Sequence, residues 1–167
     1  MVYVSISTFY GIEYAALSTG SLRWKALVAI EDQNSYKPRQ VLDAGSPSPE
    51  CMQGSRFDSG NTQTVDGSQC ERSANGSVIW VAIQYGFDAY VFLRGKEILA
   101  NSDPNIGLLD QRAAFNWVQR HIAVFGSDPD QVTIWGSTAG SDSVIDQLII
   151  NASAPNPPYR AAIVMEN

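Results

Sequence analysis

The turn Gly136-Ser137-Thr138-Ala139-Gly140 constrains the fold of this chain more than any other feature. Residues 131–135 before the turn predict a buried strand, and the residues after Gly140 predict a helix. In so tight a turn, side chains at the two glycines would collide with neighbouring backbone, and the central Thr138 would be strained and project above the sheet. The helix is expected to turn these apolar residues inward: Val144, Ile145, Leu148 and Ile149.

Strands and helices alternate from residue 78 onward. Residues 78–83 form a continuous apolar run, which is typical of a central strand covered on both faces. A helix is predicted between Asn105-Ile106-Gly107 and Gly126, and residues 161–165 form a third candidate strand. This alternation indicates an α/β fold with a mostly parallel sheet flanked by helices. The apolar face of the predicted helix consists of Leu108, Leu109, Ala113, Phe115, Trp117 and Val118.

The 167 residues are enough for one domain of modest size. Residues 1–45 are expected to hold N-terminal strands, because Val2, Val4 and Ile6 alternate with other residues as a strand would. Residues 46–77 are dominated by small and polar residues and predict a long surface loop or a disordered segment. Residues 78–167 would then form the β/α core of the domain.

Charge and hydropathy exclude several classes of partner. The chain has 11 basic and 17 acidic residues, a net charge of −6, whereas nucleic-acid binding needs clustered Lys and Arg. No apolar run approaches the length of about 20 residues that spans a bilayer, and the first residues lack the basic start of a signal peptide. No metal cluster, phosphate loop or cofactor fingerprint is found. We therefore expect no nucleic acid, membrane span, metal or cofactor.

Two short patterns concern covalent modification. Cys51 and Cys70 lie in the polar stretch, where a disulfide would close a loop and stabilise the fold by about 3 kcal/mol, although two free thiols are equally compatible with the sequence. Asn75-Gly76-Ser77 and Asn151-Ala152-Ser153 fit the glycosylation pattern, which suits a secreted glycoprotein but also arises by chance. The compartment is left open by these patterns.

Several short sequence motifs resemble those of one enzyme family and occur in the same order. The matching motifs lie at residues 11–15 and 20–24, 49–53, 83–85 with 89–93, 105–114, 117–122, 125–134 and 159–163. They are similar to those of the type-B carboxylesterases and lipases, the cholinesterase-like branch of the α/β-hydrolases. The motif at residues 105–114 resembles that family's N-x-G-L-x-D-Q-x-x-A, and residues 83–85 resemble the start of its I-N-Y-R.

The resemblance implies a partial α/β-hydrolase fold, incomplete at its C-terminal side, and hydrolysis of small carboxylic esters by acyl transfer. Residues 136–140 then correspond to the G-x-S-x-G nucleophile elbow. Thr138 stands at the nucleophile position, where the family has serine, and the Ala139 N–H would be an oxyanion donor. Gly136, Ser137 and Gly140 complete the elbow, Cys51 matches a cysteine that closes the family's first disulfide loop, and secretion is implied for the family.

Parts of the family's catalytic machinery have no counterpart in the sequence. The triad acid and histidine follow the nucleophile in chain order, and neither is reached before Asn167. The family's H-G-G-G motif, which supplies part of the oxyanion hole, is missing. The histidine of the sequence, His121, is interpreted as a surface or helix-capping residue. Since the extra methyl group of Thr138 also restricts its side chain, we expect no efficient ester turnover by this chain alone.

Three interpretations follow from these gaps. The first is an impaired member of the esterase family. The second is a binding or adhesion scaffold that keeps the esterase-like fold without catalysis. In the third, another chain or a continuation of this one supplies the missing residues. An incomplete sheet would expose an edge through which the chain could associate. Asp110 and Arg112, near the start of the predicted helix, are expected to form an ion pair or caps.

Overall fold

The computed structural model describes residues 7–32, 44–45, 67–87 and 89–165. Its five α-helices are α1 (Ser68–Ser73), α2 (Ala89–Phe92), α3 (Lys96–Asn101), α4 (Ile106–His121) and α5 (Ala139–Ile150). Its two strands are β1 (Thr133–Ser137) and β2 (Ala161–Met165). Short 3-10 helices cover Gly20–Leu22, Ile30–Asp32, Ile122–Phe125 and Pro129–Gln131.

The sheet of the described residues has two parallel strands joined by α5. Thr133 of β1 lies opposite Ala161 of β2, and Ser137 lies opposite Met165. Strand, helix and parallel strand therefore follow one another as the sequence predicts, and the α/β class is confirmed. The first strand lies two residues later than residues 131–135. The strand was predicted to be buried, but only Ile134 and Gly136 are buried in it, so one face alone is covered.

Helix α4 is the longest element, and its two ends match the sequence prediction. It follows Asn105, which has the left-handed φ of 54°, and after one 3-10 turn the chain leaves the helical path at Gly126, with φ of 89°. Left-handed residues of this kind commonly end helices. Leu108 and Val118 of the predicted apolar face are buried, but two polar residues that sequence reasoning did not place inside, Asp110 and Gln111, are buried as well.

Helix α5 packs on the sheet through a narrower face than predicted. Its buried residues are Ser141, Val144 and Gln147, three residues apart, which is the spacing of one stripe along a helix. Leu148 and Ile149 are 40% and 67% exposed, so the expectation that they face inward is wrong. The stripe is set by the sheet beneath it, and the core cluster it joins consists of Ile134, Val144 and Tyr159, with Phe115, Val132 and Ala162 packed around it.

Residues 78–83 do not form the predicted central strand. Val78, Ile79 and Val81 are exposed, and within the described part of the chain these residues pair with no other strand. Trp80 nevertheless reaches the sheet, where its ring contacts that of Trp135 edge-on at 5.3 Å. A run of apolar residues becomes a strand only when a neighbour supplies ladder hydrogen bonds, and the described neighbours do not.

Several predictions for the first half of the chain lie outside the described residues. These include the strand at Val2, Val4 and Ile6, most of the loop at 46–77, and Cys51. Residues 7–32 contain one antiparallel bridge, between Ala15 and Ala29. The end of the predicted loop forms α1, in which Cys70 is half-buried with a free thiol, so the disulfide stays a prediction. No described helix is long and apolar enough to cross a membrane.

Candidate active site

The turn between β1 and α5 holds Thr138 in a rare backbone conformation. Its φ is 55° and its ψ is −123°, at the N-cap position of α5. Positive φ is a genuine outlier for a β-branched residue, because Cβ approaches the backbone, and such strain costs about 1–3 kcal/mol. The strain predicted for Thr138 is thus present. Its side chain is exposed and makes no cap hydrogen bond to the helix.

The two glycines of the turn differ in the space around them. A Cβ at Gly136 would lie 2.0 Å from the carbonyl oxygen of Gly140, so the predicted collision with backbone is confirmed there. A Cβ at Gly140 would meet no described atom within 4 Å, so the collision predicted for that position is wrong. Gly136 therefore permits the close approach of strand and helix, and substitution there would open the turn.

Ser141 connects the turn to both strands through hydrogen bonds, and the sequence analysis did not predict this role. It is fully buried, and its Oγ lies 3.0 Å from the Gly136 carbonyl oxygen and 2.5 Å from that of Met165. The same oxygen accepts the Met165 N–H at 3.1 Å, while the Thr138 N–H donates to the Met165 carbonyl at 3.3 Å. A small polar residue within an otherwise apolar helix face is the one signal that could have pointed to it.

The residues on either side of Thr138 offer different groups. Ser137 ends β1 with an exposed side chain. Ala139 is the first residue of α5, so its N–H is one of the four at a helix N-terminus that have no partner within the helix. The positive end of the helix dipole reinforces such a donor. The turn therefore combines an exposed hydroxyl with an N–H suited to a developing oxyanion.

His121 is the last residue of α4, and its side chain is hydrogen-bonded to Glu31. Its Nε2 is 2.5 Å from a carboxylate oxygen of Glu31, and its ring is stacked at a tilt on Trp117 with centroids 5.1 Å apart. Arg120 pairs with the same carboxylate at 3.4 Å. Burial raises the pKa of Glu31, but its backbone hydrogen bond, His121 and Arg120 outweigh this and lower it overall. The structure does not bring His121 to Thr138.

Asp110 is a buried carboxyl group in the first half of α4. It is 6% exposed, one oxygen accepts the Gly86 N–H at 3.0 Å, and the other has no hydrogen-bond partner among the described residues. Burial raises the pKa of Asp110, and the Gly86 hydrogen bond offsets part of that rise. The expected ion pair with Arg112 is replaced by this contact with backbone.

A cleft of about 550 Å³ lies between α4 and the loop before β2, and the turn does not line it. Thr138 is exposed on the surface instead. In the described ranges no three His, Cys, Asp or Glu side chains are grouped to hold a metal. The lining of the cleft is mostly polar and includes Arg112, Asn116, Gln119, Asn156, Tyr159 and Arg160.

A strained strand-to-helix turn with a second parallel strand beside it defines the chain as part of an α/β-hydrolase. Solved esterases superpose on it. Aspergillus niger EstA does so with a TM-score of 0.80 and 25% identity, covering 93% of this chain and 37% of its own. The carboxylesterase EST55 of Geobacillus stearothermophilus gives 0.72 and 26% identity, with 93% and 38% covered.

Residues 54–166 match the model of the Carboxylesterase family, and the chain belongs to that family. Secreted lipase 1 of Botryotinia fuckeliana is 46% identical over 100 residues, which is 58% of this chain and 17% of that protein. Carboxylesterase patB of Aspergillus clavatus is 37% identical over 111 residues, 66% of this chain and 20% of that protein. The matched region thus spans a fifth or less of these relatives' length.

Proposed function

We propose that this chain carries the nucleophile elbow of a carboxylic ester hydrolase, with Thr138 at the nucleophile position, and that it is catalytically impaired on its own. The observation that carries the proposal is the backbone of Thr138, with φ of 55° and ψ of −123°, between β1 and α5. Such strain persists only where surrounding contacts hold it, and here Ser141 does so through three hydrogen-bond contacts to backbone groups of β1 and β2.

The chemistry offered by the turn is the first half of acyl transfer. The Thr138 hydroxyl oxygen would attack the ester carbonyl carbon, and the Ala139 N–H would stabilise the oxyanion. A base from outside the turn would have to accept the hydroxyl proton and return it to the departing alkoxide, so that the alcohol leaves as the tetrahedral intermediate collapses. Water would then hydrolyse the acyl-enzyme to the carboxylic acid and free Thr138. The names of the two curated relatives, a lipase and a carboxylesterase, support carboxylic esters as the substrate class.

Impairment follows from what surrounds the hydroxyl. A neutral threonine is a weak nucleophile unless a base accepts its proton. Among the described residues no base hydrogen-bonds to Thr138, and His121 is engaged by Glu31. The turn is open to water, so its N–H donors act in a medium of high dielectric, where they stabilise charge less. Losing a triad member alone typically lowers kcat by several orders of magnitude.

The experiment is steady-state hydrolysis of a short-chain p-nitrophenyl ester by the purified chain, with Thr138→Ser and Thr138→Ala. We expect all three proteins to match the buffer background, because a better nucleophile without a base gains little. Saturable turnover by the wild type or by Thr138→Ser that Thr138→Ala abolishes would show that a base is supplied. Impairment would then be wrong, while the position of the nucleophile would be supported.

A second candidate function is a non-catalytic binding scaffold. The observation in its favour is the exposure of apolar residues on one face of the sheet, where Trp135 lies opposite Ile163. Apolar patches of this kind often mark contact surfaces for other proteins. Reproducible association through this face, together with absent turnover, would favour the scaffold over the impaired enzyme.

We propose further that the chain is exported. The name of the first curated relative, Secreted lipase 1, supports this, as does a second relative, the Secreted lipase of Arthroderma benhamiae, 34% identical over 100 residues. Fractionation of the source organism's culture tests it: the chain is expected in the medium, and its exclusive presence inside cells would contradict export.

A further inference from the structure

The two glycosylation patterns of the chain lie in opposite environments. Asn75 follows α1 in an exposed turn, with the left-handed φ of 53°, and its N–H donates to the Arg72 carbonyl at 3.1 Å. The next residue, Gly76, has φ of 73° and closes the turn by donating to Glu71. Ser77, which supplies the hydroxyl of the pattern, is also exposed. A large group on the Asn75 amide would extend into solvent.

Asn151 is enclosed at the end of α5. It is 8% exposed, and its Nδ2 donates to the Gln147 carbonyl oxygen at 2.8 Å. The Tyr159 hydroxyl donates to the same oxygen at 2.8 Å, so both side chains converge on one buried carbonyl. A sugar on Nδ2 would have to occupy space that packed side chains fill, and interiors at native density do not accommodate it.

We propose that Asn75 is N-glycosylated and that Asn151 is not. The inference rests on the export proposed above, since the donor substrate is a lipid-diphosphate-linked oligosaccharide of the secretory route. Asn75 Nδ2 forms a bond to C1 of the first sugar while the bond from C1 to the diphosphate oxygen breaks. The lipid diphosphate leaves with the electron pair, and one amide proton passes to a base of the transferase.

The folded structure explains why the two patterns differ in outcome. A glycan at Asn75 leaves the contacts of α1 intact, because its side-chain amide makes no hydrogen bond to a described residue. A glycan at Asn151 displaces the hydrogen bond to Gln147 and separates α5 from the loop that carries Tyr159. Chains modified there would not reach this fold.

The test is expression of the full chain behind a cleavable secretion leader in a yeast host, with wild type, Asn75→Gln, Ser77→Ala and Asn151→Gln. Cell lysate and medium are both treated with peptide:N-glycosidase. We expect wild type and Asn151→Gln to lose the mass of one glycan, and Asn75→Gln and Ser77→Ala to lose none. Because the leader is supplied, the outcome depends neither on esterase activity nor on native export.

Peptide mapping of the wild type guards against failure of Asn151→Gln to fold. Peptide:N-glycosidase converts a glycosylated Asn to Asp, so Asp is expected at position 75 and Asn at position 151. An unmodified wild type, a glycan that persists in Asn75→Gln, or Asp at position 151 would each overturn the proposal.

Discussion

At the scale of single residues, the buried carboxyl group of Asp110 is the feature with the clearest energetic consequence. Its folded-state pKa is raised by burial despite the Gly86 hydrogen bond. A raised pKa means that the protonated form fits the fold better, so the contribution of Asp110 to stability is fully present below the unfolded-state pKa of about 3.9 and is lost as pH rises through the folded-state pKa. Above the folded-state pKa the ionised group is buried, and one of its oxygens has no hydrogen-bond partner among the described residues.

Asp110→Asn is therefore expected to stabilise the chain at neutral pH. The amide oxygen keeps the bond to the Gly86 N–H, and the desolvated charge is gone. We expect a gain of about 1–3 kcal/mol in the free energy of unfolding at pH 8 and a smaller difference in acid, measured by urea denaturation at both pH values. Asp146→Asn, on the exposed face of α5, is the control. Equal or lower stability of Asp110→Asn at pH 8 would contradict the assignment.

At the scale of elements, Gln147 joins α5 to α4. Its side chain is fully buried, and Nε2 donates to the Leu108 carbonyl at 2.9 Å and to Gln111 Oε1 at 3.2 Å. The backbone carbonyl oxygen of Gln147 accepts hydrogen bonds from the Tyr159 hydroxyl and from Asn151 Nδ2. One residue thus joins α5 to a neighbouring helix and to the loop before β2.

Replacing Gln147 with leucine keeps the volume and removes the donor. The Leu108 carbonyl would be left buried without this partner, at a cost of about 1–3 kcal/mol. Thermal unfolding followed by circular dichroism should show a lower midpoint for Gln147→Leu, while Asp146→Leu, one position earlier on the exposed face, should change it little. An unchanged midpoint in Gln147→Leu would mean that packing alone holds the two helices together.

The elements that sequence patterns predicted are those with local signals. Asn105 and Gly126 mark the ends of the α4 segment through their own backbone preferences, and Gly136 marks the strained turn because no side chain fits there. Residues 78–83 carry no such signal, since a strand depends on which neighbour pairs with it. Ile149 was misplaced for a related reason: the sheet, rather than the helix alone, decides which stripe of α5 is buried.

The candidate site was only partly predictable. The spacing of Gly136, Thr138 and Gly140 pointed to a strained turn, and Thr138 has that strain. The role of Ser141 was missed, because two of its three contacts are with Met165, 24 positions further along the chain. Burial of Asp110 was missed for the same reason, since Gly86 approaches it across 24 positions of the chain.

At the scale of the whole molecule, the described sheet has two strands and exposed apolar side chains. Trp135, Ile163 and Met165 lie on one face of the sheet, and each is more than a third exposed. A parallel sheet is normally covered on both faces, and a strand with an open edge offers backbone groups to another chain. We therefore expect the purified chain to self-associate through this face.

Ile163→Lys tests that expectation. Removing a buried isoleucine contact costs about 1.5–3 kcal/mol, so the concentration at which the chain is half-associated should rise roughly tenfold or more, measured by sedimentation velocity. Ser153→Lys, at an exposed polar position in the turn after α5, is the control and should shift it less. A wild type that stays monomeric across the whole accessible concentration range would contradict association through the sheet.

The most direct test of the account is covalent labelling of the chain by a fluorophosphonate, read by intact mass and peptide mapping at neutral pH. This reagent reports a hydroxyl that is activated by a base, independently of any acyl or alcohol preference. If the elbow is impaired as proposed, Thr138 of the wild type forms no adduct, and the wild type gives the same result as Thr138→Ala. An adduct at Thr138 that is lost in Thr138→Ala would show an activated nucleophile, and the proposed impairment would be wrong.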